Sequence, residues 1–318
     1  MKFLELCAGI GGFRQALENL GCECVGWSEI DKYAIKLYSA WYNDDCNFGD
    51  VTKIEAETLP DFDLLVGGFP CQAFSIAGKR MGFDDTRGTI FFDFARIMKV
   101  KKPKFAIFEN VKGLLNHDGG KTYETILQTL NELGYDAQWG ILNTKFHGLP
   151  QNRERVYIVA NLRERSSTKI LFERGDGITD KVERTEQSII GAMTGLYKIG
   201  DIDGLNTQYS RVYDSEGISA TINAQGGGLG AKTGLYNIEH KVRRLTPKEC
   251  FRLQGFKDEM VDLGYKLGIS DTQLYKMAGN AVSVPVVEWV AQRVLNWDNL
   301  QSVDTIQTDN LLSCWNKE

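Results

Sequence analysis

Between Phe3 and Ala160, short apolar runs alternate with amphipathic helical patterns, and this alternation constrains the fold more than any other feature of the sequence. Phe3-Leu4-Glu5-Leu6, Cys24-Val25-Gly26-Trp27, Asp63-Leu64-Leu65-Val66, Phe105-Ala106-Ile107-Phe108 and Arg155 to Ala160 read as strands. Phe13 to Leu20, Ala34 to Trp41, Thr89 to Met98 and Thr122 to Leu133 carry apolar residues at helical spacing. Strands separated by helices predict parallel βαβ units in a doubly wound, Rossmann-like α/β sheet.

The alternation then degrades. From about Arg165 to Lys241 the chain is polar and glycine-rich, which predicts a smaller, irregular domain of short strands and loops. Thr246-Pro247-Lys248-Glu249 has the pattern of a helix start, with an N-cap, Pro at the first position and an acid at the third. A final helix is expected from Val284 to Asn296, followed by a polar, frayed end. The expected division is therefore 1–164 for a cofactor-binding domain, 165–275 for a smaller domain, and 276–318 for a segment returning to the first.

Composition narrows the class. With 42% hydrophobic and 25% charged residues the chain is not disordered. No apolar run reaches the roughly 18 residues of a membrane span, and no signal-peptide core follows Met1. The seven cysteines are odd in number and scattered, which argues against a disulfide framework and for the cytoplasm. Cys22, Cys24 and Cys46 fit no structural zinc spacing, and His117, His147 and His240 are isolated. The net charge is −5, yet residues 78–102 carry seven Lys/Arg against three Asp, and 204–257 carry eight against four Asp/Glu. Two basic stretches on an acidic chain suit either a polyanion held in one cleft or two solvated loops.

Five segments carry chemistry. Glu5-Leu6-Cys7-Ala8-Gly9-Ile10-Gly11-Gly12 joins the first strand to the first helix, and its glycines let the backbone approach a ligand. Glu29, twenty residues after Gly9, is spaced to accept from a ribose diol, and Asp50 is a candidate acceptor for an adenine amine. This combination indicates an adenosine-containing cofactor but does not separate nicotinamide dinucleotides from S-adenosylmethionine. Gly67-Gly68-Phe69-Pro70-Cys71-Gln72 puts a cysteine just past a strand end, where open α/β sheets build their sites. A cysteine there is either a nucleophile or a small buried hydrophobe. The polar, basic stretch that follows, to Gly88, reads as a lid. Glu109, ending an apolar strand, is either a helix cap or a desolvated acid with a raised pKa. In Gln151-Asn152-Arg153-Glu154-Arg155 the two arginines point to one face, and their forks suit a carbonyl, a carboxylate or a phosphate. Finally, Arg243 to Phe256 reads as an amphipathic helix supporting the smaller domain, and Gly279-Asn280 as a tight turn presenting an amide to the cofactor.

Taken in this order, Pro-Cys-Gln, Glu-Asn-Val, Gln-x-Arg-x-Arg and Gly-Asn-x-Val resemble the bacterial C5-cytosine DNA methyltransferases, in particular the short HhaI-type members, over residues 2–163 and 204–295. The resemblance implies a S-adenosylmethionine-dependent fold with a target-recognition domain. Cys71 would be the nucleophile, with Glu109, Arg153 and Arg155 around the base, and Gly9, Gly11, Gly12, Glu29, Asp50, Pro70, Asn280 and Val282 would contact S-adenosylmethionine. Double-stranded DNA would be held by Ser75, Lys79, Arg80 and Arg87 on one side. Gln208, Arg211, Thr221, Gln225, Gly227 and Gly228 would hold it on the other, with Gln208 filling the space left by a flipped base. A monomer is the default expectation, and the resemblance leaves open a cognate restriction endonuclease acting on the same site, expected to be a short GC-rich palindrome. Two positions depart from the family pattern: Cys7 replaces a phenylalanine that would touch adenine, and Ala77 replaces a serine in the lid. Competing readings are a tRNA cytosine methyltransferase, a non-catalytic DNA-binding relative and a nicotinamide dehydrogenase. The last gives no role to Cys71-Gln72 or to the basic stretches.

Overall fold

A computed structural model describes residues 1–70, 90–163, 198–201, 211–214, 217–222, 224, 235–238 and 241–315. Six strands form the main sheet: β1 (Lys2–Leu6), β2 (Glu23–Ser28), β3 (Leu64–Gly68), β4 (Phe105–Val111), β5 (Tyr135–Asn143) and β6 (Glu154–Leu162), in the order β2-β1-β3-β4-β6-β5. The first four are mutually parallel, and β2, β3 and β4 are reached through α1 (Gly12–Asn19), α2 (Lys32–Tyr42) and α3 (Ile90–Lys101) in turn.

The parallel rule stops there. β6 is antiparallel to both β4 and β5. The crossover through α4 (Lys121–Glu132) carries β5 two positions beyond β4, and β6 fills the gap. Only residues 144–153 separate β5 from β6, too few for a parallel crossover, which needs a dozen residues or more. Sequence patterning missed β5 altogether because Tyr135–Asn143 mixes Asp136, Gln138, Trp139 and Gly140, and its residues are mostly half-buried at the sheet edge.

One core face of the sheet contains Phe3, Leu64, Val66, Phe105, Ile107 and Val159, all fully or almost fully buried. It is covered by α1 and by four later helices, α5 (Pro247–Arg252), α6 (Asp258–Lys266), α7 (Asp271–Asn280) and α8 (Val284–Trp315). Cys250, Phe251, Met260, Val261 and Leu274 belong to this core, so the expected division at 275 does not coincide with a break in packing, and α5 supports the main sheet rather than the smaller domain. The opposite face packs Leu4, Leu65, Ala106, Phe108 and Ile158 against Phe91, Phe94 and Met98 of α3 and Ile126 and Leu130 of α4. Burying side chains of this size stabilises by roughly 1.5–3 kcal/mol each.

Local signals explain the helix ends. The capping box at Thr246 is complete, with the Glu249 amide donating to Thr246 Oγ1 and the Thr246 amide to Glu249 Oε2. α8 tolerates Pro285 in its first turn and runs to Trp315, well past the expected end at Asn296. No helix among the described residues is long and apolar enough to cross a membrane. A second, four-stranded sheet has the order β10-β9-β8-β7, with β7 at Lys198–Asp201, β8 at Arg211–Asp214, β9 at Leu235–Ile238 and β10 at Lys241–Arg243.

Candidate active site

The carboxyl ends of β1 to β4 and the amino end of β6 meet at one edge of the sheet, because β6 runs against its neighbours. A cavity of about 380 Å³ opens there, the size of a small-molecule site. It is lined by Cys7, Ala8, Gly9, Gly12 and Phe13 from the first loop and by Glu29 and Asp31 after β2. Gly68, Phe69 and Pro70 follow from β3, Glu109, Asn110 and Val111 from β4, Arg153 and Arg155 from β6, and residues around Asn280 and Val282 from the end of α7.

The glycine loop is shaped by its neighbours. Gly9 is left-handed (φ 57°), and its amide donates to Glu29 Oε2 at 2.8 Å. The other Glu29 oxygen accepts from the amides of Ile30 and Asp31, both at 2.8 Å, so three backbone donors fix this carboxylate at the rim. Gly11 (φ 80°) does not line the cavity. A Cβ there would collide with Tyr42, whose hydroxyl donates to the Gly11 carbonyl at 2.8 Å. Cys7 is also left-handed (φ 52°), and burial, reinforced by Glu29, Asp50 and Asp93, pushes its thiol up to about 12. That thiol is therefore protonated at neutral pH and is no nucleophile. Asp50 caps the turn at Val51–Lys53, accepting from Thr52 N at 3.0 Å and Thr52 Oγ1 at 2.8 Å, and is not among the cavity-lining residues.

On the other wall, Arg155 Nε lies 3.0 Å from Glu109 Oε1, both side chains being largely buried. Burial raises the Glu109 pKa, while Arg155 and Arg153 pull it back toward the ionised form. The sequence left Glu109 open between a cap and a desolvated acid, and its burial beside Arg155 has the character of the second. Asn110, which sequence reasoning quoted without a role, is 3% exposed and donates from Nδ2 to the Phe69 carbonyl at 2.8 Å. It thereby anchors the strand end that leads through Pro70 to Cys71. Its place one residue beyond the apolar run Phe105-Ala106-Ile107-Phe108 and Glu109 is the signal the sequence offers.

Arg153 differs from the expectation that it faces a base. It is 2% exposed, and its guanidinium donates to the carbonyls of Ile222 (3.0 Å), Gly279 (3.1 Å) and Ala281 (2.8 Å). Spacing alone paired it with Arg155, but three backbone acceptors from two other segments take its two amino groups, while its buried Nε meets no acceptor among the described residues. Gly279 and Asn280 are the last residues of α7 rather than a tight turn, because helical hydrogen bonding persists until Ala281 turns extended. Val282 packs on Gly12, and Lys276 pairs with Asp31 at 2.6 Å across the rim. Ile30, missed by sequence reasoning, is 70% exposed between the two cavity residues Glu29 and Asp31, an apolar side chain standing at the rim.

Thr221 Oγ1 donates to the Asn152 carbonyl at 2.5 Å, next to the main sheet, and Arg211 opens β8. Several basic residues of the expected polyanion surface are already paired: Arg243 with Glu249, Lys248 with Asp262, Arg252 with Asp258 and Arg96 with Asp93. Cys71, Ser75, Lys79, Arg80, Arg87, Gln208, Gln225, Gly227 and Gly228 lie outside the described residues. Among the described residues no group of three or more His, Cys, Asp or Glu converges to hold a metal ion.

The model of the C-5 cytosine-specific DNA methylase family matches residues 1–193 and 176–296. The type II methyltransferase M.HhaI of Haemophilus parahaemolyticus is 40% identical over 315 residues, covering 92% of this chain and 94% of that protein. M.HaeII of Haemophilus aegyptius, also a type II methyltransferase, is 38% identical, with 94% of each chain covered. Among solved structures, the Dnmt2 methyltransferase of S. pombe superposes with a TM-score of 0.68 at 19% identity, covering 93% of this chain and 98% of that one, a likeness of fold.

Proposed function

The chain belongs to the C-5 cytosine-specific DNA methylase family, and on that premise we propose that it methylates C5 of a cytosine flipped out of a short, specific site in duplex DNA, using S-adenosylmethionine. The observation that carries the reading is the buried Glu109–Arg155 pair. It shares one cavity with the Phe69-Pro70 strand end, the glycine loop and Glu29.

The cavity fits the cofactor by its chemistry. Glu29, held by three amides, offers its remaining lone pairs to a ribose diol, and its carboxylate favours a positively charged ligand, the charge of Asp31 being met by Lys276. Gly9, Gly12, Pro70, Asn280 and Val282 would complete the contacts. When bound, S-adenosylmethionine supplies a methyl group made electrophilic by its sulfonium. The protein's own groups prepare the base. Cys71, adjoining Pro70, adds as a thiolate to C6, and the new C–S bond makes C5 nucleophilic toward the methyl carbon. Glu109 holds a proton toward N3 and accepts from the 4-amino group, which its raised pKa favours. Arg155, oriented by Glu109, donates to the base carbonyl. Loss of the C5 proton then expels the Cys71 sulfur and releases 5-methylcytosine.

In this reading the catalytic part comprises 1–164 and the helices from 246 onward, and the segment between reads the DNA. Arg211 and the glycine-rich stretch 225–228 supply base contacts, and Lys79, Arg80 and Arg87 supply phosphate contacts that weaken with salt. The protein acts as a cytoplasmic monomer beside an endonuclease that cuts the same site. Bisulfite sequencing of DNA from cells expressing the wild type or Cys71→Ser tests the reading, with tRNA assayed alongside. We expect 5-methylcytosine at one short motif, lost in the variant. Methylation retained by Cys71→Ser would refute the mechanism, and modification of tRNA alone would refute the substrate.

A further inference from the structure

A buried hydrogen-bonded junction joins three segments that the proposed reaction must coordinate. Gln151 is fully buried. Its Oε1 accepts from the Ile222 amide at 3.1 Å, and its Nε2 donates to the Leu253 carbonyl at 2.6 Å. The Ser219 amide donates to the Pro150 carbonyl (2.7 Å), and the Asn152 amide returns a bond to Ser219 O (2.8 Å). Residues 219–222, which lead from β8 toward β9, are therefore laced to the entry of β6. Arg153 completes the junction from within: one amino group, Nη1, holds Ile222 O while the other, Nη2, holds Gly279 O and Ala281 O. Gly279 and Ala281 flank Asn280 in the cavity wall.

A guanidinium is planar and its donors are fixed relative to one another. The backbone of Arg153 is itself pinned, its amide donating to Asn143 Oδ1 at 3.1 Å. A shift of 279–281 onto a ligand therefore re-aims the fork, and with it the amino group that holds Ile222. The alternative, letting one carbonyl go, leaves a buried acceptor or donor unmet, which is costly.

We propose that Arg153 is a positioning residue that couples filling of the cofactor cavity to the setting of the segment 219–222. Occupancy by cofactor and capture of the DNA target then favour each other. The inference rests on the cofactor and DNA reading above. By reciprocity, each ligand raises the affinity of the other by the same factor.

Hydrogen exchange on the wild type, with and without S-adenosylhomocysteine and with no DNA present, is the first test. The expected result is slower exchange at Gly9, in the cavity, and also at Ser219 and Ile222, outside it. Slowing at Gly9 with Ser219 and Ile222 unchanged would overturn the coupling. No slowing at Gly9 would overturn the cofactor reading and the coupling with it. The second test measures S-adenosylhomocysteine affinity by calorimetry, with and without a duplex carrying the methylated motif. The wild type should show a gain of about 5-fold or more, and Arg153→Lys, whose single ammonium cannot hold both segments, a gain of about 1-fold. A merely structural role would lower stability in the variant and leave that ratio intact, which would overturn the proposal. Should Arg153→Lys fail to fold, the wild-type exchange experiment alone decides.

Discussion

Gly12 opens α1 beneath the cofactor cavity, and a Cβ placed on it would lie 2.6 Å from Val282 Cγ2, 3.3 Å from Val282 O and 3.5 Å from Phe256 Cζ. Carbon atoms rest at about 3.5–4.0 Å, so Gly12→Ala must drive the Val282 side chain back by about 1 Å. Overpacking of this kind costs about 1–3 kcal/mol, against which alanine returns about 0.5–1 kcal/mol of helix preference over glycine. The net loss is therefore between about 0 and 2.5 kcal/mol. Because Val282 is itself part of the cavity wall, the displacement should also weaken S-adenosylhomocysteine, by up to about 30-fold where about 2 kcal/mol of the strain falls on the wall. Val282→Ala deletes the colliding methyl and leaves only the carbonyl contact, which can yield slightly. In that background Gly12→Ala should be neutral or stabilising. Urea melts and calorimetry on the four proteins of the cycle give the coupling directly. An equal loss from Gly12→Ala in both backgrounds would show that the glycine loop and the 280–282 segment do not pack face to face, and the description of the cavity would fail with it.

Glu5 is fully buried, accepts from Tyr38 Oη at 2.9 Å, and is pushed by burial up to about 8. With the folded value above the unfolded one, its contribution is fully present below about 4.5 and is lost as pH rises through about 8. Wild-type stability relative to Glu5→Gln should therefore fall by up to about 1.4 kcal/mol per pH unit across that window, as read by denaturant melts at several pH values. A flat difference would refute the assignment. Glu109→Gln should keep S-adenosylhomocysteine binding and lose about 10²–10⁴-fold in turnover. The fall in wild-type activity with rising pH, set above the ordinary carboxylate range by burial of Glu109, should vanish in single-turnover profiles of the variant.

Much of this architecture is legible from periodicity, because β1, β3 and β4 are buried on both faces and read as continuous apolar runs. β5 is not, since it lies at the sheet edge, half-buried and interrupted by Gly140. The glycine loop and Glu29 are legible because they are local in sequence, and the Gly9 amide does donate to Glu29. The work of Arg153 depends on Ile222, Gly279 and Ala281, which lie far from it along the chain, and only the folded geometry brings them together. Long-range ion pairs have the same effect on charge counting: Lys101 meets Asp61 and Lys248 meets Asp262, each acid lying outside the counted stretch, so a net count over a stretch of sequence overstates what a polyanion meets.

The reversed direction of β6 has an architectural consequence. The chain enters this strand beside the chemistry, at Arg153 and Arg155, and leaves it at Leu162, whose amide bonds Lys104 O at the far margin of the sheet. Whatever is spliced in after Leu162 is thus tethered at the rear of the catalytic body. Its length and composition can drift without pulling on the reacting groups, provided the chain returns to dock on residues 150–153.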